Sequence, residues 1–305
     1  MLLKELMLES LPFSSGELEV LIGTAPFRYK EYKIPKRDSD KFRQISQPTP
    51  EVKLLQRWVV ANVLSQFPVH PAATAYRSGR GLLENVRPHQ KNRFLLKVDF
   101  KDFFPSITSA NFKVFLKESS YSDVEIRILC NILFKLDRRT EQLRLAIGAP
   151  SSPSLSNILM YRFDEVISKF CDRLHVVYTR YADDLTFSTN ERDVLCKVEK
   201  ALPEVIAEFG LIALTVNQEK TRHASKKTGR QITGLNISSE GEVSIGRDRK
   251  RLLRVQIFKF SKGELTADEI DSLRGYIAFL QYAEPAHVTR LRSSFGDDLI
   301  SRLCS

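Results

Sequence analysis

The chain has 305 residues, of which 42% are hydrophobic and 28% charged, a composition typical of a globular protein with a substantial core. It contains no run of about 18 apolar residues, which argues against a membrane span, and its N-terminal apolar stretch carries glutamates that a signal peptide would lack. Four cysteines without C-x-x-C spacing indicate free thiols in a reducing cytoplasm, and the net charge is +10.

The N-terminal region predicts helices followed by a two-stranded hairpin. Residues 1–25 predict one or two helices, with a helix start at 14–17. Alternating polar and apolar residues predict strands over 28–35 and 42–45, joined by a charged turn at 36–41. We therefore expect a small helical cluster beside a half-exposed hairpin.

A helix and a basic loop follow this hairpin. An apolar stripe with i+3 and i+4 spacing predicts a helix over 51–67. Residues 75–81 form a glycine-containing loop in which Arg77 and Arg80 are suited to contact the phosphates of a nucleic acid.

An acidic residue ends the next strand. Residues 94–99 predict an apolar strand that delivers Asp99 at its end among aromatic residues. On its own, such an aspartate is ordinarily a cap or turn residue. Further along, the small-residue loop 146–157 would let a ligand approach its backbone closely at Gly148. Helices are predicted over 108–119, 123–136 and 155–170.

Two adjacent carboxylates occupy the tip of a predicted hairpin. Strand-forming residues over 177–188 flank Asp183 and Asp184. Neighbouring carboxylates repel each other, and oxygen ligands of this kind suit a hard cation such as Mg²⁺. If the strand that ends in Asp99 pairs with this hairpin, three carboxylates can form the two-metal site used in nucleotidyl transfer, with ions about 3.5–4 Å apart.

The C-terminal third is strongly basic. Residues 220–254 contain ten lysines and arginines but only three acidic residues. Beside a metal-carboxylate site, this charge favours a track for a phosphate backbone. The predicted elements are a helix over 193–209 interrupted near Pro203, a strand over 211–217, a hairpin through 231–237 and 242–246, a helix from Arg247, and two helices at roughly 266–283 and 286–303.

Three of these segments, taken in order, resemble a known family. Asp99 stands in Val-Asp-Phe-x-Asp-Phe-Phe-Pro-Ser, Gly148 in Gly-Ala-Pro-Ser-Ser-Pro, and the acidic pair in Tyr-Ala-Asp-Asp. They resemble motifs A, B and C of reverse transcriptases, and more closely those of the bacterial retron type. The resemblance runs from about residue 20 to at least 255.

The resemblance implies an α+β right-hand polymerase. It implies N-terminal helices and fingers over 1–92 and a palm with an antiparallel sheet over 93–237. A fingers segment at about 108–150 would interrupt the palm, and a short helical thumb would follow over 238–305.

The resemblance also implies roles at the nucleotide site. Asp99, Asp183 and Asp184 would be catalytic and hold two Mg²⁺ ions. Arg43 would reach the incoming triphosphate, Phe104 would exclude a ribose 2′-hydroxyl, Gly148 would lie in the nucleotide-binding loop, and Lys220 would lie near the leaving pyrophosphate. The family usually has glutamine immediately before the loop glycine, whereas this chain has Ile147, so that side-chain contact must be absent or replaced.

Other blocks of the sequence match the retron pattern in part. An Asn-Ala-x-x-His block has Val86 in place of alanine, and a Val-Thr-Gly triplet begins here with isoleucine. The residues expected to bind nucleic acid are Arg77, Arg80, Asn85, His89, Ile232, Thr233, Gly234, Arg247, Lys250, Arg251 and Arg254.

The implied reaction is template-directed DNA synthesis from deoxynucleoside triphosphates. The template would be a dedicated structured non-coding RNA, the primer a guanosine 2′-hydroxyl, and the product a branched DNA. An effector protein in antiphage defence and a host RNase H are the other implied partners. The alternatives are another compact bacterial reverse transcriptase of the diversity-generating type, a non-catalytic RNA-binding scaffold on a polymerase fold and, more distantly, a metal-dependent nuclease.

Overall fold

The structure, a computed structural model, describes residues 3–35 and 42–304, so the turn predicted at 36–41 lies outside the described residues. Its helices are α1 (Leu3–Ser10), α2 (Ser15–Thr24), α3 (Pro50–Asn62), α4 (Leu82–Val86), α5 (Phe103–Ser106), α6 (Ser109–Phe115), α7 (Asp123–Leu133), α8 (Ser152–Leu159), α9 (Tyr161–Arg173), α10 (Val194–Phe209), α11 (Arg247–Ser261), α12 (Ala267–Ala283), α13 (Pro285–Phe295) and α14 (Asp297–Cys304). Its strands are β1 (Tyr29–Pro35), β2 (Phe42–Pro48), β3 (Phe94–Asp99), β4 (Lys135–Asp137), β5 (Gln142–Arg144), β6 (Val177–Tyr181), β7 (Asp184–Thr189), β8 (Arg222–Ser225), β9 (Arg230–Ile232), β10 (Leu235–Ile237) and β11 (Val243–Ser244). Within the described ranges, no helix is long and apolar enough to cross a membrane.

A four-stranded antiparallel sheet lies at the centre of the molecule. Its strand order is β6-β7-β3-β8, so the predicted acidic hairpin does pair with the strand that ends in Asp99. Helix α9 packs against β6, and α10 packs against β3 and β7. Because β3 and β7 are buried along most of their lengths, the sheet holds its loop ends in a fixed arrangement.

The strand predicted over 211–217 is not a strand of this sheet. The fourth strand is β8, where no strand was predicted from the sequence, and it pairs with residues 94–97. Residues 211–217 instead cross the end of β3, where the Lys101 amide donates to the Thr215 carbonyl and the Asn217 amide donates to the Asp99 carbonyl. Short turns within the segment prevent it from extending as a ladder.

Five predicted helices have different limits in the structure. The helix predicted over 108–119 ends at Phe115, and the helix predicted at roughly 286–303 is two helices, α13 and α14. The helix predicted over 51–67 ends at Asn62 and is followed by a 3₁₀ turn. The helix predicted over 123–136 ends at Leu133 because Phe134 is extended, and the chain then enters the β4–β5 hairpin. The helix predicted over 155–170 is two helices, α8 and α9, which meet at Met160.

The segment predicted as one strand over 231–237 is a hairpin. Strands β9 and β10 are joined by Thr233 and Gly234, whose φ angles of 44° and 83° produce a tight turn of the type that suits hairpins. Strand β11 pairs with the outer side of β10. This small sheet shares a second hydrophobic cluster with α11–α14, whereas the main cluster surrounds the central sheet.

Candidate active site

The turn between β6 and β7 brings the acidic pair to the end of β3. Tyr181 pairs with Asp184, which leaves Ala182 and Asp183 as the two turn residues. Asp184 is also directly opposite Asp99 in the β3–β7 ladder. One carboxylate oxygen from each of the three aspartates lies within 4.8 Å of the others. The predicted three-carboxylate cluster is therefore present.

Burial and mutual repulsion disfavour the charged forms of this cluster. Burial, followed by the charge of Asp99, raises the pKa of Asp183. Burial and the charge of Asp183 raise the pKa of Asp184 to about 6. A cation bound between these groups would relieve the repulsion, and an all-oxygen donor set fits a hard divalent ion. The cluster is thus suited to hold metal ions such as Mg²⁺.

Two side chains from the segment after α10 contact Asp99. The ammonium group of Lys220 donates to both carboxylate oxygens, at 3.1 and 2.9 Å, and the Asn217 amide donates to one of them at 3.1 Å. Although burial lowers the pKa of Lys220, its hydrogen bonds with Asp99 and the charge of that carboxylate raise it overall. Lys220 therefore remains charged beside the cluster, with its side chain 59% exposed.

A cleft adjoins the carboxylates. Its volume is about 1300 Å³, and Arg43, Phe104, Asp183 and Lys220 line it. A neighbouring cavity of about 430 Å³ shares Phe104 and includes the loop at Gly148. The residues predicted to contact the nucleotide thus line two cavities that share Phe104 and Ile147.

The loop at Gly148 is held against strand β2. The Ser46 amide donates to the Ile147 carbonyl at 2.8 Å, and Gly148 has a φ of +112°. A Cβ at that position would lie 2.9 Å from Cγ2 of Ile45 and 3.2 Å from the Ser46 carbonyl oxygen. Glycine is required here by both backbone conformation and space. Ile147 itself lines both cavities.

Some residues of the cleft were not predicted from the sequence. Tyr76 lines both cavities, and its ring centroid lies 6.3 Å from that of Tyr181. Its φ of 59° is unusual for a tyrosine, and its position in a loop described only as basic gave no signal for this. The β4–β5 hairpin also lines the larger cavity, through the cations Lys135, Arg138, Arg139 and Arg144. The alternating charges over 135–144 could have revealed this hairpin.

Three residues predicted to bind nucleic acid are buried instead. The side-chain oxygen of Asn85 accepts hydrogen bonds from the hydroxyls of Thr74 and Thr179. The two ring nitrogens of His89 lie 2.7 Å from the Ser188 hydroxyl and 2.8 Å from that of Thr179. These two residues and Ile232 are fully buried. Their side chains support the hairpin and the small sheet from inside, so in this structure none of the three is exposed to a nucleic acid.

The other residues predicted to bind nucleic acid differ in how far their side chains are exposed to a ligand. Arg77 is half-buried and donates to the carbonyls of His70 and Ala73, while Arg80 donates to that of Pro71. Thr233 and Gly234 are partly exposed at their turn.

On α11, Arg247, Arg251 and Arg254 are exposed, and Arg254 lies over the ring of Phe295. Lys250 is instead largely covered and forms an ion pair with Glu284 at 2.5 Å. The exposed face of α11 therefore offers three of the four predicted cations to a ligand.

A family model and two curated relatives all match this chain as a reverse transcriptase. Residues 34–237 match the family described as reverse transcriptase (RNA-dependent DNA polymerase). The chain is 39% identical to the Retron Ec83 reverse transcriptase of Escherichia coli over 94% of its length and 93% of the relative's. It is 31% identical to the Retron Ec86 reverse transcriptase of the same organism, covering 93% of this chain and 88% of that one.

A solved structure is similar in fold alone. It is telomerase from Candida albicans in complex with a TWJ fragment of telomeric RNA, with a TM-score of 0.50 and 12% identity. The match covers 94% of this chain and 59% of the telomerase chain.

Proposed function

This chain belongs to the reverse transcriptases of the retron type, and on that premise we propose that it copies a dedicated structured non-coding RNA into branched single-stranded DNA. The chain is an RNA-directed DNA polymerase, and its fold is the α+β right hand expected from the sequence. The proposed RNA template and branched DNA product are supported mainly by the 39% identity to a retron enzyme across nearly the whole length of both chains.

The three aspartates are the proposed catalytic residues. Asp99, Asp183 and Asp184 would hold two Mg²⁺ ions, a role supported by the close approach of their carboxylate oxygens. When bound, the ions would supply Lewis-acid chemistry that lowers the pKa of the attacking hydroxyl and neutralises the triphosphate. The carboxylates themselves orient the site, because their positions are fixed by the paired ends of β3 and β7.

The surrounding residues would bind and select the nucleotide. Arg43 would hold the triphosphate electrostatically, and Lys220, already charged beside Asp99, would neutralise or protonate the departing pyrophosphate. Phe104 would exclude the ribose 2′-hydroxyl by its bulk, and Gly148 would let the nucleotide approach the loop backbone. Arg43, Phe104 and Lys220 line the cleft beside the carboxylates and Gly148 lines the neighbouring cavity, which supports these roles.

We assign the parts of the right hand as the motifs suggest. The fingers would comprise 1–92 and about 108–150, the palm the rest of 93–237, and the thumb 238–305. Helices α11–α14 pack with the small sheet in a hydrophobic cluster separate from the main one, which supports a thumb beside the palm. All four cysteines are free, which is consistent with work in the reducing cytoplasm.

Formation and use of the proposed product would require an RNA primer and two other proteins. Synthesis would start from the 2′-hydroxyl of an internal guanosine, and a host RNase H would remove the copied RNA. An effector protein would act with the enzyme in antiphage defence. The similarity to retron enzymes favours this role over a diversity-generating one, and the intact carboxylate cluster argues against a non-catalytic scaffold.

The test is to isolate nucleic acid that copurifies with the protein expressed with its native flanking DNA. Wild type and Asp183→Asn are compared after treatment with RNase and with a 2′–5′ debranching enzyme. We expect a DNA found only with wild type, whose mobility changes on debranching. Unbranched DNA would contradict the retron product, and RNA alone in both samples would favour the scaffold.

A further inference from the structure

A fully buried arginine lies three residues before Asp183. The Nε and Nη2 atoms of Arg180 donate to the two carboxylate oxygens of Asp164 at 2.8 and 2.6 Å. Its Nη1 atom donates to the side-chain oxygen of Asn157 and to the carbonyl of Ala182, each at 3.1 Å. Arg180, Asp164 and Asn157 are all buried to at least 99%. One guanidinium therefore joins α8, α9 and the catalytic hairpin.

Stability alone does not account for this cluster. Removing two charges from water is costly, and a buried ion pair is often no more stable than apolar residues of the same volume. What the arginine adds is geometry, because its planar fork can serve acceptors on three residues in fixed directions. One of these acceptors, the Ala182 carbonyl, belongs to the turn that carries the catalytic pair.

That turn needs support. Ala182 has a φ of 57°, a conformation that costs a non-glycine residue on the order of 1–2 kcal/mol. Its carbonyl points inward to Arg180, while the carbonyl of Asp183 accepts a hydrogen bond from the Phe100 amide at 3.3 Å. The turn is thus fixed from both sides, once by β3 and once by the guanidinium.

The same cluster extends to the loop that carries Tyr76. The Asn157 amide donates to the Ala75 carbonyl at 2.8 Å, and the backbone of Arg180 bonds to Ala72 and Thr74. Movement of the guanidinium would therefore disturb both the catalytic turn and the wall of the cleft.

We propose that Arg180, anchored by Asp164 and Asn157, is a positioning residue that fixes the Ala182–Asp183 turn so that three carboxylates converge on the metal ions. It acts through the Ala182 carbonyl and does not contact substrate. The inference rests on the proposed catalytic role of the three aspartates.

The test compares Arg180→Lys with Tyr178→Phe. Lysine keeps the charge but, with one nitrogen, cannot hold both oxygens of Asp164 and also reach Ala182. Tyr178→Phe is the matched control, because the Tyr178 hydroxyl donates to Asp164 at 2.8 Å in the same cluster and makes no bond to the turn. The first readout is hydrogen exchange of the Phe100 amide in metal-free protein. The second is the Mg²⁺ concentration that gives half-maximal DNA synthesis.

In Arg180→Lys we expect faster exchange at Phe100 and a half-maximal Mg²⁺ concentration raised roughly 10-fold, the lower end of what loss of an outer-shell partner costs. Tyr178→Phe should lower thermal stability and leave both readouts near wild type. Equal changes in the two variants, or none in Arg180→Lys, would overturn the proposal.

A second variant covers the case in which Arg180→Lys does not fold. Asn157→Ala removes the other acceptor of Nη1, so both readouts should change in the same direction but less, and wild-type values would contradict the proposal. Failure of the proposed function is distinguishable, since it would appear as wild-type protein without Mg²⁺-dependent synthesis.

Discussion

Asp184 shows that the carboxylate cluster lowers the stability of the metal-free fold at neutral pH. Its pKa of about 6, raised by burial and by Asp183, compares with 3.8 for an unperturbed aspartate. At neutral pH without metal, ionised Asp184 is therefore less favourable in the folded protein than in the unfolded chain. Because the folded-state pKa is raised, this group favours folding at low pH and the advantage is lost as the pH rises through about 6.

Replacing Asp184 by Asn should therefore stabilise the metal-free protein at pH 7.5. The expected result is a higher unfolding temperature than wild type, with a difference that shrinks below pH 6 and vanishes only at a pH well below 3.8, where this residue is protonated in both the folded and the unfolded wild type. Calorimetry over this pH range measures it. Saturating Mg²⁺ should reduce or reverse the difference, because the wild-type cluster binds the ion better. An equal or lower unfolding temperature at pH 7.5 without metal would contradict this.

Phe104 tests the proposed selection of deoxynucleotides. Its ring packs at 5.5 Å against Phe103 and lines both cavities, so a smaller side chain would open space without removing a core residue. Phe104→Ala should raise the relative kcat/KM for ribonucleotides on the order of 10- to 100-fold. Single-nucleotide incorporation with matched triphosphates measures the ratio. An unchanged ratio would show that the ring only packs against its neighbours.

At the scale of elements, His89 shows how the hairpin is supported. Burial lowers the pKa of His89 to about 3, so the ring is neutral and bridges Thr179 on β6 to Ser188 on β7. A depressed pKa means that this stabilisation is present above pH 6.5 and is lost progressively as the pH falls toward about 3.

His89→Ala should destabilise the protein by about 2–4 kcal/mol at pH 7.5, because two buried hydroxyls lose partners and a cavity forms. The difference from wild type should be smaller at pH 5, where protonation of the unfolded histidine already destabilises wild type. Urea unfolding at the two pH values measures this. A difference that grows at pH 5 would contradict a buried neutral ring.

The sequence predicted the central elements because their signals are local. Asp99 ends an apolar strand, and Asp183 and Asp184 interrupt strand-forming residues, so the pairing of β3 with β7 followed from pattern and motif. Strand β8 has no such pattern, and it is a strand because its backbone completes the open edge of β3. Residues 211–217 have a strand-forming pattern, but they cross the end of β3 and do not run along its edge.

The burial of Asn85 and His89 could not be predicted in the same way. Their shared partner Thr179 lies 94 and 90 residues away in the chain, so only the folded arrangement shows that they face inward. Arg180 was likewise indistinguishable from a strand arginine until Asp164 and Asn157 were placed around it.

At the scale of the whole molecule, positive charge is concentrated on the C-terminal third. Arg251 is exposed on α11, whereas Arg274 on α12 is also exposed but lies 3.7 Å from Asp271. If α11 lies along the phosphate backbone of an RNA, Arg251 should contact a phosphate. Arg274, which is also exposed but lies beside an acidic residue on another helix, should not.

Arg251→Ala should weaken binding of a structured RNA and reduce the slope of log affinity against log salt by about 1. Arg274→Ala, the control, should leave both nearly unchanged. Binding titrations over a range of salt concentrations measure the two slopes. Equal effects of the two variants would place the RNA elsewhere.

We propose that three converging aspartates carry metal-dependent copying of RNA into DNA. The most direct test is primer extension by purified protein on an RNA template with deoxynucleotides and Mg²⁺, comparing wild type with Asp183→Asn. That substitution removes a ligand and a charge at almost unchanged volume, so folding should be preserved. We predict extension by wild type that stops when Mg²⁺ is chelated, and none by the folded variant. Extension by Asp183→Asn at a rate near wild type would show that the carboxylate cluster does not carry the reaction.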